Sequence, residues 1–314
     1  MGGSAQVVTH RRAVAGAVLV TTSASVMAWA LAYPATSMAP ALARAVADGA
    51  AVVTLGLAAV PALDAGRYRE ELVRRATAPL VLASAVWLVA EVFRLMLAGA
   101  EAAGVSAGRL GVRTAVDFAL DTAPGRAGLL TMIVAGAVCL LVAVVPRSGP
   151  ACVVAAGLVA VGVVGHPLTG HLSASPWGGL AIAVHALAAA LWCGMLAGIV
   201  LTVEHRGQWA RVLPRFSRLS VWCVAALLAG GVVGAVGVLG RPTDLYATGY
   251  GRVLSAKIVL TVALTALAWR NRTIWLPAAR AHRSTAVVSR SRAYTELALM
   301  AAALAAAAAL AVTG

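Results

Sequence analysis

The stretch GHPLTGHLSASPWGGLAIAVHALAAALWCGMLAGIVLTV, residues 165–203, joins a polar turn to a long apolar segment. It contains three of the six histidines of the chain: His166, His171 and His185. In a chain this apolar, an ionisable side chain at membrane depth marks a candidate functional site. Neutral imidazole is also the commonest side-chain ligand for transition metals. The stretch therefore predicts a membrane helix with a candidate metal site near its first turns.

The overall composition is that of an integral membrane protein. Of the 314 residues, 61% are hydrophobic and 11% are charged, whereas soluble domains average about 25% charged residues. The formal net charge of +14 would suggest a nucleic-acid partner in a soluble protein. Positive charge collects in the cytoplasmic loops of membrane proteins, however, and no basic-aromatic or helix-turn-helix pattern is visible. We therefore expect a multi-pass protein of the cytoplasmic membrane, surrounded by lipid, with no nucleic-acid partner.

Apolar segments of roughly 20 residues, the length that crosses a bilayer, predict an all-α fold. The fold class is a polytopic transmembrane bundle of about nine helices, at residues 13–33, 41–63, 76–99, 127–145, 151–168, 178–203, 218–240, 252–270 and 294–313. We divide the chain into an N-terminal three-helix region with an outer interfacial loop (1–126), a membrane core (127–293) and a peripheral C-terminal helix (294–314).

The arginines predict the orientation of this bundle. With the N-terminus in the cytoplasm, most basic residues fall in inside segments: Arg11, Arg12, Arg67, Arg69, Arg74, Arg75, Arg147, Arg206, Arg211, Arg215, Arg218, Arg270, Arg272, Arg280, Arg283, Arg290 and Arg292. This alternation follows the positive-inside rule and predicts an N-in, C-out topology. The loop that carries His171 then faces outward.

His185 is the most informative of the three histidines. It lies about seven residues into the sixth predicted span, roughly 10 Å below the outer surface at 1.5 Å per residue. Cys193 lies two turns further along the same helix face. The small residues Gly194 and Gly198 on this helix predict that another helix approaches it closely.

Softer donors accompany the histidines. Met132 falls in the outer half of its predicted span, and thioether together with imidazole suits Cu(I). A single methionine or cysteine is more often simply part of the core. The deeper thiols Cys139, Cys193 and Cys223 suggest a path for a soft cation that descends from the outer histidines.

Charged side chains inside the spans form two candidate pairs. Glu91 and Arg94 are spaced i, i+3, and Arg44 and Asp48 are spaced i, i+4, so each pair can meet on one helix face. Because a neutralised pair is the less costly way to carry charge in a bilayer, we interpret both as structural.

Three local motifs lie between about residues 120 and 275. They are Gly165-His166 ahead of HALAAALWCGML (185–196), RFSRL (215–219), and GYGRVLSAK (249–257) followed by a span that ends in Asn271-Arg272. Together they resemble the CopD/PcoD copper-resistance family of bacterial membrane proteins, which also forms the membrane half of YcnJ-type proteins. Met195 stands where the family commonly has a second glycine, which leaves open whether Met195 is itself a metal donor.

The resemblance implies copper movement across the cytoplasmic membrane, usually described as uptake, with a periplasmic copper-binding protein as a possible partner. The sequence contains no P-loop and no Asp-Lys-Thr-Gly-Thr phosphorylation motif, so we expect that this chain does not handle energy from ATP. We expect a transport or homeostasis protein that is not an enzyme. Copper is the expected ion. The candidate metal ligands are His166, His171, His185, Met132, Cys193 and Met195.

Two other functions remain open at this stage. Paired histidines on neighbouring spans can ligate a b-type haem in an electron-transfer protein, which a Soret band would reveal. An assembly factor for a copper enzyme would have similar metal ligands, but its expression would leave cellular copper accumulation unchanged.

Overall fold

The computed structural model describes residues 19–33, 38–169, 176–238 and 243–313. In these ranges the regular structure is entirely helical, so the predicted all-α class is confirmed. The helices are α1 (Leu19–Ala32), α2 (Met38–Ala59), α3 (Gly66–Ala102), α4 (Val112–Asp121), α5 (Ala123–Val144), α6 (Gly149–Gly165), α7 (Pro176–Thr202), α8 (Arg206–Val238), α9 (Asp244–Ala247), α10 (Gly249–Arg270), α11 (Leu276–Arg280) and α12 (Ala286–Thr313).

The long apolar helices make the protein a multi-pass membrane bundle. Among the described residues, seven helical segments are long and apolar enough to cross a bilayer: Met38–Leu63, Gly66–Ala102, Ala123–Val144, Gly178–Thr202, Arg206–Val233, Gly249–Arg280 and Ala286–Ala311. Two shorter apolar helices, α1 and α6, coincide with the first and fifth predicted spans.

Two helices extend well beyond the apolar runs that predicted them. Helix α3 begins at Gly66 and α8 begins at Arg206, about three turns before the expected starts. The added turns are charged and are stabilised by ion pairs. Arg75 contacts both Glu71 and Glu204 at 2.8 Å. Hydropathy therefore located the apolar part of each helix but missed its charged first turns.

The centre of the bundle is a close crossing of α2 and α7. A Cβ atom added to Gly56 would overlap the backbone carbonyl of Gly194, and one added to Gly198 would lie 2.9 Å from Gly56 O. The prediction that Gly194 and Gly198 admit a neighbouring helix is confirmed, since small residues let membrane helices approach to backbone contact. This crossing positions α7, which carries His185.

A second set of contacts joins α8 to the turn between α2 and α3. The Asp64 carboxylate is buried and lies 3.1 Å from Arg211 Nε and 4.0 Å from Arg215 Nη1. Arg215 also donates to Leu63 O at 2.7 Å. Arg211 and Arg215, near the start of α8, therefore join this helix to the turn between α2 and α3.

The first and the last of the three predicted regions each contain a helix that packs against the bundle. Helix α4 packs against α3 and α5 and exposes Val112, Val116 and Leu120, which recur every four residues. This is the apolar stripe expected of an interfacial helix. Helix α12, predicted as a peripheral helix, packs against α10, α2 and α7 and buries Glu296.

Candidate functional site

A polar network lies between α2, α3 and the end of α6. Asp48 lies 3.6 Å from Arg44 on its own helix and 3.5 Å from Arg94 on α3. Arg94 in turn lies 3.5 Å from Glu91. The two predicted pairs are therefore both present, but they are parts of one network rather than two isolated pairs.

His166 joins this network through Glu91. It follows the last residue of α6, and its Nε2 lies 3.4 Å from Glu91 Oε2. Trp87 Nε1–H donates to the other carboxylate oxygen at 3.2 Å. Glu91 is only 2% exposed, so this carboxylate depends on these neighbours to replace water.

Glu91 is the site residue that sequence reasoning assigned to a purely structural role. Its partner His166 lies 75 residues away, so no local spacing relates the two. The signal available in the sequence was a carboxylate within an apolar span. Such a carboxylate marks a candidate functional site even when an arginine on the same helix can neutralise it.

His185 occupies a different interface, between α7 and α8. Its Nδ1 lies 2.7 Å from Leu227 O, and because a carbonyl oxygen only accepts, Nδ1 carries the proton and donates. Two glycines of α8 leave room for the ring, since a Cβ on Gly230 would lie 3.0 Å from His185 Cβ and one on Gly231 would lie 3.4 Å from the imidazole. Nε2 of this neutral imidazole is then the nitrogen with the lone pair.

The buried thiols Cys193 and Cys223 lie further along the same interface. Cys193 is on α7 and Cys223 is on α8, and both side chains are buried. Leu227, the partner of His185, lies one turn from Cys223 on α8, and Cys193 lies about two turns from His185 on α7. Helix spacing therefore places both thiols along the α7–α8 interface from the imidazole. Cys139 lies on α5, which packs against α3, α4 and α6, so the structure places it away from this interface.

The remaining candidate ligands are distributed around the bundle. Met195 is buried on α7 beside the crossing with α2, whereas Met132 is half-buried on α5. His171 lies outside the described residues. The structure thus places His166 in contact with Glu91 and His185 in contact with Leu227. Within the described part of the chain, no three His, Cys, Asp or Glu side chains form a metal-binding group.

A further buried polar contact lies near the opposite end of the bundle. Glu296 on α12 accepts a hydrogen bond from Asn271 Nδ2 at 2.7 Å. Asn271 begins a π-helical turn, Asn271–Trp275, between α10 and α11. Arg272 of the same turn donates to Ser217 Oγ at 2.8 Å. These residues line a cavity of about 20 Å³, which is room for a single water molecule.

Comparison with known proteins gave two family matches. The family described as "Copper resistance protein D" matches residues 210–310, and the one described as "Copper resistance protein D-like, N-terminal domain" matches residues 34–180. A curated relative, "Inner membrane protein YebZ" of Escherichia coli (strain K12), is 31% identical over 103 residues. That match covers 31% of this chain and 35% of the relative, so the chain spans about a third of the curated relative's length. No solved structure matches.

Proposed function

Because this chain belongs to the copper resistance protein D family, we propose that it moves copper ions inward across the membrane that it spans. Copper is the transported substrate, and the chain acts in copper homeostasis without catalysing a reaction. The relative's printed name supports placing the chain in the inner, cytoplasmic membrane.

The observation that carries this proposal is the position of His185 between α7 and α8. The bond from Nδ1–H to Leu227 O orients the imidazole and leaves Nε2 to bind an ion. Metal-binding histidines commonly hold their second nitrogen in this way. Cys193 and Cys223 lie further along the same interface, and thiolate together with imidazole suits Cu(I).

We assign the other candidate ligands to entry and passage. His166 and His171 receive copper at the outer mouth, and His185 takes it into the bilayer. Met195 on α7 and Met132 on α5 supply thioether donors. A periplasmic copper-binding protein delivers the ion to the outer histidines.

The proposed topology has nine membrane helices, with the N-terminus inside and the C-terminus outside. Helices α1 and α6 supplement the seven long spans, and α6 ends immediately before His166, where the entry site is proposed. Residues 1–126, 127–293 and 294–314 are the proposed three-helix region, copper-bearing core and C-terminal helix.

Copper accumulation in cells with matched protein levels tests the function and its direction. Cells that make the wild-type protein should accumulate more copper than cells without it. His185→Ala should abolish the difference and His171→Ala should weaken it. His205→Ala is the matched control, because this exposed histidine lies in the turn at the other end of α7.

Each alternative result has a distinct meaning. Normal accumulation in His185→Ala cells would refute the proposed site. Lower copper in cells that make the wild-type protein would refute the inward direction. Unchanged copper would favour an assembly role over transport.

A further inference from the structure

We infer that Glu91 is the positioning residue of His166: its carboxylate accepts the Nε2–H of the imidazole and leaves Nδ1 as the copper-binding nitrogen. The inference rests on the proposed function, because it takes His166 as a copper ligand. Nε2 and Oε2 lie 3.4 Å apart. An ionised carboxylate only accepts hydrogen bonds, so the ring nitrogen that faces it must carry the hydrogen. A neutral imidazole protonated at Nε2 has its lone pair on Nδ1.

The carboxylate is itself held in place before any ion arrives. Trp87 Nε1–H donates to Oε1 at 3.2 Å, and Arg94 Nη1 lies 3.5 Å from the same oxygen. Both oxygens therefore face donors, and Glu91 is 2% exposed. Carboxylates that accept the second N–H of a metal-binding histidine set its tautomer and ring orientation, and their loss typically weakens metal affinity about 10–100-fold.

Arg94 also explains why Glu91 acts through His166 rather than as a ligand. Trp87 and the guanidinium face Oε1, and His166 faces Oε2. Copper bound directly to either oxygen would have to displace one of these contacts. Copper bound to Nδ1 of His166 leaves all three contacts of the carboxylate intact.

The network supplies its own matched control. The double change Glu91→Leu with Arg94→Leu removes one charge of each sign, so no lone buried charge remains. Arg44→Leu with Asp48→Leu also removes one charge of each sign from the same network but leaves the contacts of Glu91 in place. A general effect of removing polar groups should appear in both double variants, whereas a positioning effect should appear only in the first.

The test is Cu(I) affinity of the purified full chain, measured by competition with a chromogenic Cu(I) chelator. Glu91→Leu/Arg94→Leu should weaken the affinity about 10–100-fold, and Arg44→Leu/Asp48→Leu should leave it unchanged. When His166→Ala is already present, Glu91→Leu/Arg94→Leu should have no further effect. A further loss in that background, or wild-type affinity in Glu91→Leu/Arg94→Leu, would overturn the inference.

Two further measurements separate this inference from the proposed function and from folding. Wild-type affinity in His166→Ala alone would refute His166 as a ligand, and with it both proposals for this residue. Nitrogen-15 chemical shifts of the His166 ring in the copper-free wild-type protein should show Nε2 protonated. A ring protonated at Nδ1 would overturn the positioning role even if the leucine variants did not fold.

Discussion

Replacing Gly56 by alanine should destabilise the bundle, because it inserts a methyl group into the crossing of α2 and α7. The new Cβ would overlap the carbonyl of Gly194, and its surroundings are backbone rather than side chain. No rotamer change can therefore relieve the contact. The two helices must separate, and α7 carries the imidazole of His185 and the thiol of Cys193 with it.

The expected cost follows from this geometry. Overpacking a well-packed core typically costs about 1–3 kcal/mol, and a backbone-to-backbone overlap belongs at the upper end. About 3 kcal/mol corresponds to more than a hundredfold in the folding equilibrium, since each 1.4 kcal/mol is a factor of ten. Gly49→Ala is the matched control on the same helix, because nothing lies within 4 Å of its added Cβ. The intrinsic helix preference for alanine should make that change neutral or stabilising by up to about 1 kcal/mol.

Equilibrium unfolding in mixed micelles of a mild detergent and sodium dodecyl sulfate gives the two free energies directly. Gly56→Ala should unfold at a lower fraction of the denaturing detergent than wild type, and Gly49→Ala at the same or a higher fraction. Equal stability of the two variants would show that α2 and α7 do not meet at Gly56, and the placement of the α7 ligands would be wrong with it.

Two other predictions concern orientation and the buried carboxylate of α12. A reporter fused after Gly314 should report the outer face, and a cytoplasmic signal there would contradict the count of nine spans. Glu296→Gln should keep an acceptor for Asn271 Nδ2, whereas Glu296→Ala should lower the free energy of unfolding by about 1–3 kcal/mol, because it leaves that donor unsatisfied. Equal losses of stability in the two variants, measured in the same unfolding assay, would show that the hydrogen bond itself contributes little.

Much of the site chemistry was visible in the sequence as residue types, but its contacts were not. His185 and Cys193 lie on one helix, α7, as the sequence predicted, and their i, i+8 spacing predicts that they share a face of it. Leu227 could not be foreseen as the partner of His185, because the bond uses a backbone carbonyl and every residue has one. The link from His166 to Glu91 was missed for a similar reason, since it joins the end of α6 to the middle of α3.

The membrane-helix class was determined by the sequence alone because lipid allows few alternatives. Every backbone polar group in a bilayer must be hydrogen-bonded within the protein, and a long continuous apolar run achieves this within its own segment by forming a helix. Which helices meet was decided only by the tertiary structure. Lipid is as apolar as leucine, so hydrophobicity does not choose partners, and association depends on small residues and polar contacts. Gly56 against Gly194 and Glu91 against His166 are such contacts, and each needs two segments that lie far apart in the chain.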